Sequence, residues 1–172
     1  MGLNNVQEQI LGIFSKETLN CIEHTLKLKA TLGNGFEEKV ENFKFKGFAV
    51  ASSTMGVISG KILLHLYPEA AIALGNRLRE ILLGEKQTLT EVDDDVSEAV
   101  QEFANTITGL CTRALDRADI GIRFRPFYAI SNIETMDIIL QDIKEILTIP
   151  IHLENAGKFY FNYLLYEITE AT

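Results

Sequence analysis

The chain has 172 residues, 47% hydrophobic and 23% charged, which is typical of a globular protein with a buried core and predicts a single domain over residues 1–172. Its formal net charge of -8 argues against nucleic acid or an anionic membrane as the main partner, since both attract clustered Lys and Arg. Because it has neither a signal peptide nor an apolar run near the roughly 20 residues that cross a bilayer, we expect a cytoplasmic protein.

The first third of the chain changes from helical to strand periodicity. Apolar residues three and four apart predict a long helix over residues 4 to about 29, ended by the glycines of 33–35. Alternation from Phe43 onward predicts a strand, a turn at 53–56 and a second strand over 57–67.

Two further helices are predicted in the middle of the chain. Pro68 and Glu69 favour the start of the first, and Gly84 favours its end. The second runs to about Asp116. The acidic residues before it either bind Mg²⁺ or complement the helix dipole, and we favour the second interpretation. These residues are Glu91, Asp93, Asp94 and Asp95.

The remainder of the chain is rich in strand patterns. Alternation predicts a strand over 120–124, closed by Pro126, whereas 134–146 fits either a strand or a helix. A hairpin of 148–153 and 158–168 follows, and its last strand is apolar on both faces, as in a covered sheet. This order of elements favours an α/β (α+β) sandwich, with about three long helices on a mainly antiparallel sheet.

The cysteines and histidines show no spacing typical of a metal site. Cys21 and Cys111 lie far apart and outside any Cys-x-x-Cys pair, so we predict that they are buried and reduced. His24, His65 and His152 are interpreted as ordinary helix or strand residues.

The third predicted helix has two contrasting faces. One is an apolar stripe that includes Val96, Val100, Phe103 and Ile107. The opposite stripe lacks large hydrophobic residues. Its glycine destabilises the helix by about 1 kcal/mol relative to alanine, and one use of a glycine at such a cost is to let a partner approach the backbone. That stripe consists of Glu98, Glu102, Asn105, Gly109 and Thr112.

Solvent exposure alone also produces a polar helix face. Moreover, Glu17 and Asn20 in the first helix have the same Glu-x-x-Asn spacing as Glu102 and Asn105. Spacing by itself therefore leaves both the functional and the purely solvated interpretation open.

From about residue 40 to its end, the chain resembles the CheC/CheX/FliY family of chemotaxis phosphatases, and its CheX members most closely. The segments that carry the resemblance are the glycine-punctuated strand 55–66, the helix 68–85, the Glu-x-x-Asn helix 96–109, residues 125–126 and the hairpin 155–165. The family pattern is Asp or Ser, three residues, Glu, two residues, Asn, then about two dozen residues to a Pro. Here Glu98 occupies the first position, and Pro126 comes slightly early.

The resemblance implies a CheC-like fold and removal of the phosphoryl group from the aspartyl phosphate of a CheY-like response regulator. Asn105 would orient the attacking water, and Glu102 would pair with the regulator's lysine. Glu98, Gly109 and Thr112 would contact the regulator. Mg²⁺ would come with the regulator, so the chain would need no cofactor or metal site of its own.

The resemblance also bears on the number of sites. CheC-like members carry the motif on two helices, whereas CheX-like members carry one and are homodimers. Glu17 and Asn20 fall on the helix of the second copy, but Ile13 replaces the Asp or Ser and His24 replaces the glycine. We therefore expect one site and a homodimer, and keep Glu17 and Asn20 as a weaker candidate site.

Two other functions stay open at this point. The Glu98 departure is compatible with a non-catalytic adaptor that binds a receiver domain on the same fold. A small-molecule-binding α/β domain is the third alternative, although the sequence has no glycine-rich phosphate loop. The sequence identifies neither the regulator nor the pathway, which is chemotaxis or another two-component system.

Overall fold

The computed structural model of the chain describes residues 5–56, 59–155 and 157–166. In chain order the helices and strands are α1 (Asn5–Cys21), β1 (Ala30–Leu32), β2 (Phe36–Glu38), β3 (Phe48–Gly56), β4 (Gly60–Leu66), α2 (Pro68–Leu83), α3 (Asp94–Arg117), β5 (Ile122–Phe124), β6 (Tyr128–Ile130), α4 (Ile133–Leu140), β7 (Ile143–Leu153) and β8 (Gly157–Tyr166). A π-helical turn, Ile22–Leu26, follows α1, and a 3-10 turn, Val40–Asn42, precedes β3.

The strands form an antiparallel sheet in the order β1-β7-β8-β4-β3-β5, with β2 also paired to β7 and β6 also paired to β3. Strand β8 lies at its centre, paired with β4 on one side and β7 on the other. Side chains on both faces of β8 are buried, as predicted from its sequence; Phe161 lies in one core and Leu164 in the other. The predicted α+β architecture is confirmed.

The two faces of the sheet are covered unequally. Helices α1, α2 and α3 cover one face, and the larger core lies beneath them. A smaller core on the opposite face includes residues of α4 and the segment before β3. The described residues include no helix long and apolar enough to cross a membrane. The face of α3 that points away from the sheet is consequently the one available to a partner.

The beginning of the chain differs from the prediction. Helix α1 ends at Cys21, and Lys27, with a φ of 55°, ends the π-helical turn that follows. Strands β1 and β2 then pair with β7, and between them the Gly33 amide donates to the Pro150 carbonyl at 2.8 Å. Pairing with a sheet edge therefore overrides the helical periodicity beyond residue 26.

The predicted strand from Phe43 begins only at Phe48. Phe43 and Phe45 instead stack on the His65 ring, at centroid distances of 5.2 and 5.6 Å. The connection at Gly47 has a φ of 120°, which favours glycine.

The predicted turn at 53–56 is wrong, because β3 continues through it to Gly56. A Cβ at Gly56 would lie 2.1 Å from the Gly121 carbonyl oxygen, so glycine is required for β5 to approach β3 here. Residues 57–58 of the predicted second strand lie outside the described residues, and β4 begins at Gly60.

The later elements follow the prediction more closely. Helix α2 spans Pro68–Leu83 and ends with Gly84 in the left-handed conformation. The ambiguous segment 134–146 divides into helix α4 and the start of β7, and strand β6 was not predicted.

A chain of hydrogen bonds runs through the sheet at His65. The Lys46 backbone amide donates to His65 Nε2 at 2.9 Å, so the ring proton lies on Nδ1, which donates to Asn162 Oδ1 at 3.1 Å. Asn162 Nδ2 donates to Thr148 Oγ1 at 2.8 Å, and Thr148 in turn donates to the Glu38 carboxylate. Every donor in this chain points the same way, which holds His65 in its neutral form.

We expect this histidine to make folding pH-dependent. Burial, assisted by the charge of Lys46, lowers the pKa of His65 from 6.5 to about 3. The unfolded chain therefore binds the extra proton first, and stability falls as the pH drops below 6.5. Between pH 7 and pH 5, protonation of this histidine in the unfolded chain should lower the free energy of unfolding by about 2 kcal/mol. Urea unfolding of the wild type and His65→Gln at both pH values would measure this contribution.

The matched control is His152→Gln, because His152 is exposed. From pH 7 to pH 5, the free energy of unfolding of His65→Gln should fall by about 2 kcal/mol less than that of the wild type. His152→Gln should show the same pH dependence as the wild type. Equal pH dependence of unfolding in all three proteins would contradict this assignment.

Candidate functional site

Helix α3 begins at a well-defined cap. The Asp93 carboxylate accepts the Val96 amide at 3.0 Å, and Asp94 and Asp95 occupy the first turn. Asp95 also pairs with Arg79 of α2 at 3.5 Å. These contacts support the interpretation of the acidic cluster as a capping element. Within the three described segments, no three His, Cys, Asp or Glu side chains could together hold a metal ion.

The polar stripe lies on the outer side of α3, because the opposite side packs into the larger core. Glu98, Glu102 and Gly109 are exposed, and Asn105 and Thr112 are half-buried. Asn105 lies three positions after Glu102, a rise of about 4.5 Å along the helix, so the two side chains are neighbours on its surface. The structure therefore places the five predicted residues along one side of α3.

Asn105 is held by a contact that the sequence did not predict. Its Oδ1 accepts the backbone N–H of Phe127 at 3.3 Å. Phe127 is buried in the larger core. Since Oδ1 and Nδ2 diverge from one carbon atom, the Nδ2 group is directed away from Phe127. The carboxamide is thus oriented by the backbone that follows Pro126.

The segment that holds Asn105 is itself fixed to the sheet. Ser52 donates to the carbonyl of Arg125, and the Arg125 amide donates to the Ser53 carbonyl at 3.0 Å. Pro126, which has no N–H, leads directly to the Phe127 donor. The proline of the family pattern was the one sequence signal that pointed to this segment, without indicating what it contacts.

The weaker candidate site lies on α1, which packs against α3. Glu17 and Asn20 are both half-buried, and the Asn20 carbonyl accepts from His24 Nδ1 at 2.9 Å. Burial raises the pKa of Cys111, and the nearby Glu17 carboxylate raises it further. Cys21 and Cys111 are buried and free, as predicted.

A groove of about 430 Å³ lies beside the polar stripe. It runs between α2 and α3, and Thr25 of the π-helical turn reaches it. Glu98 and Glu102 line it together with apolar side chains of both helices. No pattern in the sequence predicts this groove, because it arises only where two helices pack side by side.

The fold is CheC-like, as shown by its similarity to solved structures of that class. Among solved structures, the fold is similar to that of a chemotaxis protein CheX from Desulfovibrio desulfuricans, at 18% identity and a TM-score of 0.69, covering 91% of this chain and 99% of the other. A CheX-CheY-BeF3-Mg²⁺ complex from Borrelia burgdorferi gives 18% identity and a TM-score of 0.69, covering 91% and 97%. The structure of Thermotoga maritima FliY is 19% identical in sequence with a TM-score of 0.68, and the match covers 97% of this chain and 93% of the other.

The sequence itself identifies the family. The family model for chemotaxis phosphatase CheX matches residues 48–151, more than half of the chain, and the chain belongs to this family. This confirms the resemblance drawn from the Glu-x-x-Asn helix and its surroundings. No curated protein matches the chain.

We expect Gly109→Ala to stabilise the protein. Gly109 lies inside α3, and a Cβ added there would meet nothing within 4 Å. Alanine should therefore raise the free energy of unfolding by about 0.5–1 kcal/mol through its helix propensity. Chemical denaturation measures the difference.

Gly75→Ala provides the contrast for this substitution. Gly75 lies inside α2, but a Cβ there would approach Val96 Cγ1 to 3.1 Å. Gly75→Ala should therefore raise the free energy of unfolding by less than Gly109→Ala does, or lower it. A loss of stability in Gly109→Ala would contradict the open surface at this position.

Proposed function

We propose that this protein hydrolyses the aspartyl phosphate of a CheY-like receiver domain, with Asn105 orienting the attacking water and Glu102 pairing with the receiver's lysine. The observation that carries the proposal is the pairing of an exposed carboxylate with an adjacent, backbone-anchored carboxamide on α3. Membership of the chemotaxis phosphatase CheX family supports it. A CheX of the same fold forms a complex with CheY, BeF3 and Mg²⁺, which supports a receiver as the partner.

The reaction requires positioning more than a strong base. Water attacks phosphorus in line, the bond between phosphorus and the aspartyl oxygen breaks, and inorganic phosphate and a free carboxylate result. An acyl phosphate is already activated, so most of the gain comes from fixing the water and steadying charge. A carboxamide can accept from the water through its oxygen and donate through its nitrogen.

The contact with Phe127 suits Asn105 to this role. Its Oδ1 has two lone pairs, of which the Phe127 N–H uses one, so the second can accept from a water. Holding the amide in one orientation before the receiver arrives lowers the entropy lost on reaching the transition state. Asn105 therefore acts as a fixed group.

Glu102 suits a different role. It is exposed, so its carboxylate can reach a lysine ammonium of the docked receiver and form a charge-assisted hydrogen bond. Glu98, Gly109 and Thr112 extend this contact surface along α3, with Gly109 admitting the closest approach. Mg²⁺ would be supplied by the receiver, and we expect the phosphatase to be a homodimer.

Asn105→Ala should lower the catalysed rate of phosphate loss from a phosphorylated receiver by about 100-fold or more. It also leaves the Phe127 N–H without its partner, at a cost of about 1 kcal/mol, so the fold should survive. Decay of the phosphorylated receiver measures the rate, and thermal unfolding checks the fold.

Asn20→Ala is the matched control, because Asn20 has the same motif spacing on α1. It should retain the wild-type rate. A wild-type rate in Asn105→Ala would exclude Asn105 as the group that orients the water. A loss in Asn20→Ala would instead identify α1 as the site. A receiver that binds without faster phosphate loss would favour the adaptor function.

Glu102→Gln should weaken binding of the receiver about tenfold, because it removes the charge that faces the lysine. It should also make the affinity less sensitive to salt. Titration of the receiver at two ionic strengths measures both effects. Glu91 is also exposed but lies outside α3, so Glu91→Gln should change neither the affinity nor its salt dependence. An unchanged affinity in Glu102→Gln would contradict the ion pair.

A further inference from the structure

The groove between α2 and α3 is lined by apolar side chains that have no role in the proposed reaction. Its apolar lining comes from Leu78, Ile81 and Leu82 of α2 and from Ala99 and Phe103 of α3. The volume of about 430 Å³ accommodates one or two side chains of a docked protein.

The end of α2 exposes three consecutive apolar side chains. Ile81, Leu82 and Leu83 are 42%, 82% and 54% exposed. Single exposed apolar residues are common, but a contiguous patch beside a groove is typical of an interaction surface. Leu82 both lines the groove and has the largest exposed fraction of the three.

The opposite wall of the groove is acidic. Asp95, Glu98 and Glu102 follow one another along α3. Arg79 of α2 also lines the groove, and its charge is offset by the ion pair with Asp95. Neither Glu98 nor Glu102 forms an ion pair with a described residue. Two carboxylates four residues apart repel each other by a few tenths of a kcal/mol, which a basic partner would relieve. The groove thus fits an apolar side chain flanked by positive charge.

The position of Glu102 indicates which molecule supplies that side chain. Glu102 lines the groove and is also the proposed contact to the receiver's lysine, so a receiver docked on Asn105 covers the groove. A second copy of this chain fits less well, because a two-fold contact would bring the acidic walls together.

We infer that the groove between α2 and α3 is a specificity site that binds an apolar side chain and a neighbouring basic residue of the same receiver domain that presents its phosphoryl group to Asn105. This inference rests on the proposed function. It separates two tasks on adjacent surfaces: Asn105 acts on the phosphoryl group, and the groove selects the receiver.

Leu82→Glu and Glu98→Lys test the two halves of this chemistry. The probe is a CheY-like receiver carrying BeF3⁻ and Mg²⁺, titrated against each variant. Leu82→Glu should raise the Kd at least tenfold, because it places a charge where an apolar side chain binds. Glu98→Lys should raise it by a similar factor and reduce its dependence on salt. The receiver concentration for half-maximal dephosphorylation should rise in parallel.

Ile138→Glu is the matched control. Ile138 is 65% exposed on α4, which belongs to the opposite face of the sheet, so the same change in charge should leave the Kd at its wild-type value. Thermal unfolding of Leu82→Glu should match the wild type, since that side chain makes little contact in the fold.

Different results would contradict the role of the groove and the phosphatase activity. Wild-type Kd values in Leu82→Glu and Glu98→Lys, with Asn105→Ala still slow, would overturn the groove and leave the phosphatase assignment intact. A wild type that binds and dephosphorylates no receiver would overturn both. Sedimentation that shows a wild-type dimer and a Leu82→Glu monomer would assign the groove to a contact between copies and overturn the inference.

Discussion

The burial of one face of α3 is the constraint on which the rest of the site depends. Val96, Val100, Phe103 and Ile107 are buried in the larger core, and the Asp93 cap fixes where the helix begins. A rotation of the helix by one residue, about 100°, would expose Phe103 and drive the Glu102 carboxylate toward the core, which costs several kcal/mol. The outward direction of Glu102 and Asn105 therefore follows from hydrophobic packing on the other side of the same helix.

A second constraint distinguishes the two side chains of the motif. Asn105 is tied to the backbone at Phe127, and that backbone is tied to β3 through Ser52 and Ser53. Glu102 is exposed, and none of its side-chain atoms forms an ion pair with a described residue. A group that orients a water is more effective when its position is fixed before the substrate binds. A group that forms an ion pair with an incoming lysine is more effective when its side chain can adopt several positions. The local structure of each side chain thus matches the role proposed for it.

The sequence predicted the elements whose pattern extends over many residues. Helices α2 and α3 and the central strand β8 repeat their apolar pattern for ten residues or more, so local periodicity identifies them. Strands β1, β2 and β6 have three residues each and form because an edge is available to pair with. Strand β5 is equally short, but the alternation that predicts it begins earlier, at Ile120. The turn predicted at 53–56 failed because Gly56 serves a close approach to Gly121. The contact between Asn105 and Phe127 joins residues 22 apart, which no local pattern encodes.

The motif consists of only two side chains, so it supplies little specificity for one receiver over another. One carboxylate and one carboxamide can act on any receiver, because an aspartyl phosphate and a lysine are what they would contact in each case. Discrimination among receivers then requires contacts outside the motif, since specificity is a difference between affinities. The groove between α2 and α3 meets this requirement by position, because it shares Glu98 and Glu102 with the polar stripe. It also meets it by chemistry, because the unpaired carboxylates beside its apolar lining disfavour acidic partners. Changes in the apolar lining of the groove would therefore redirect the protein to another receiver while leaving Glu102 and Asn105 in place.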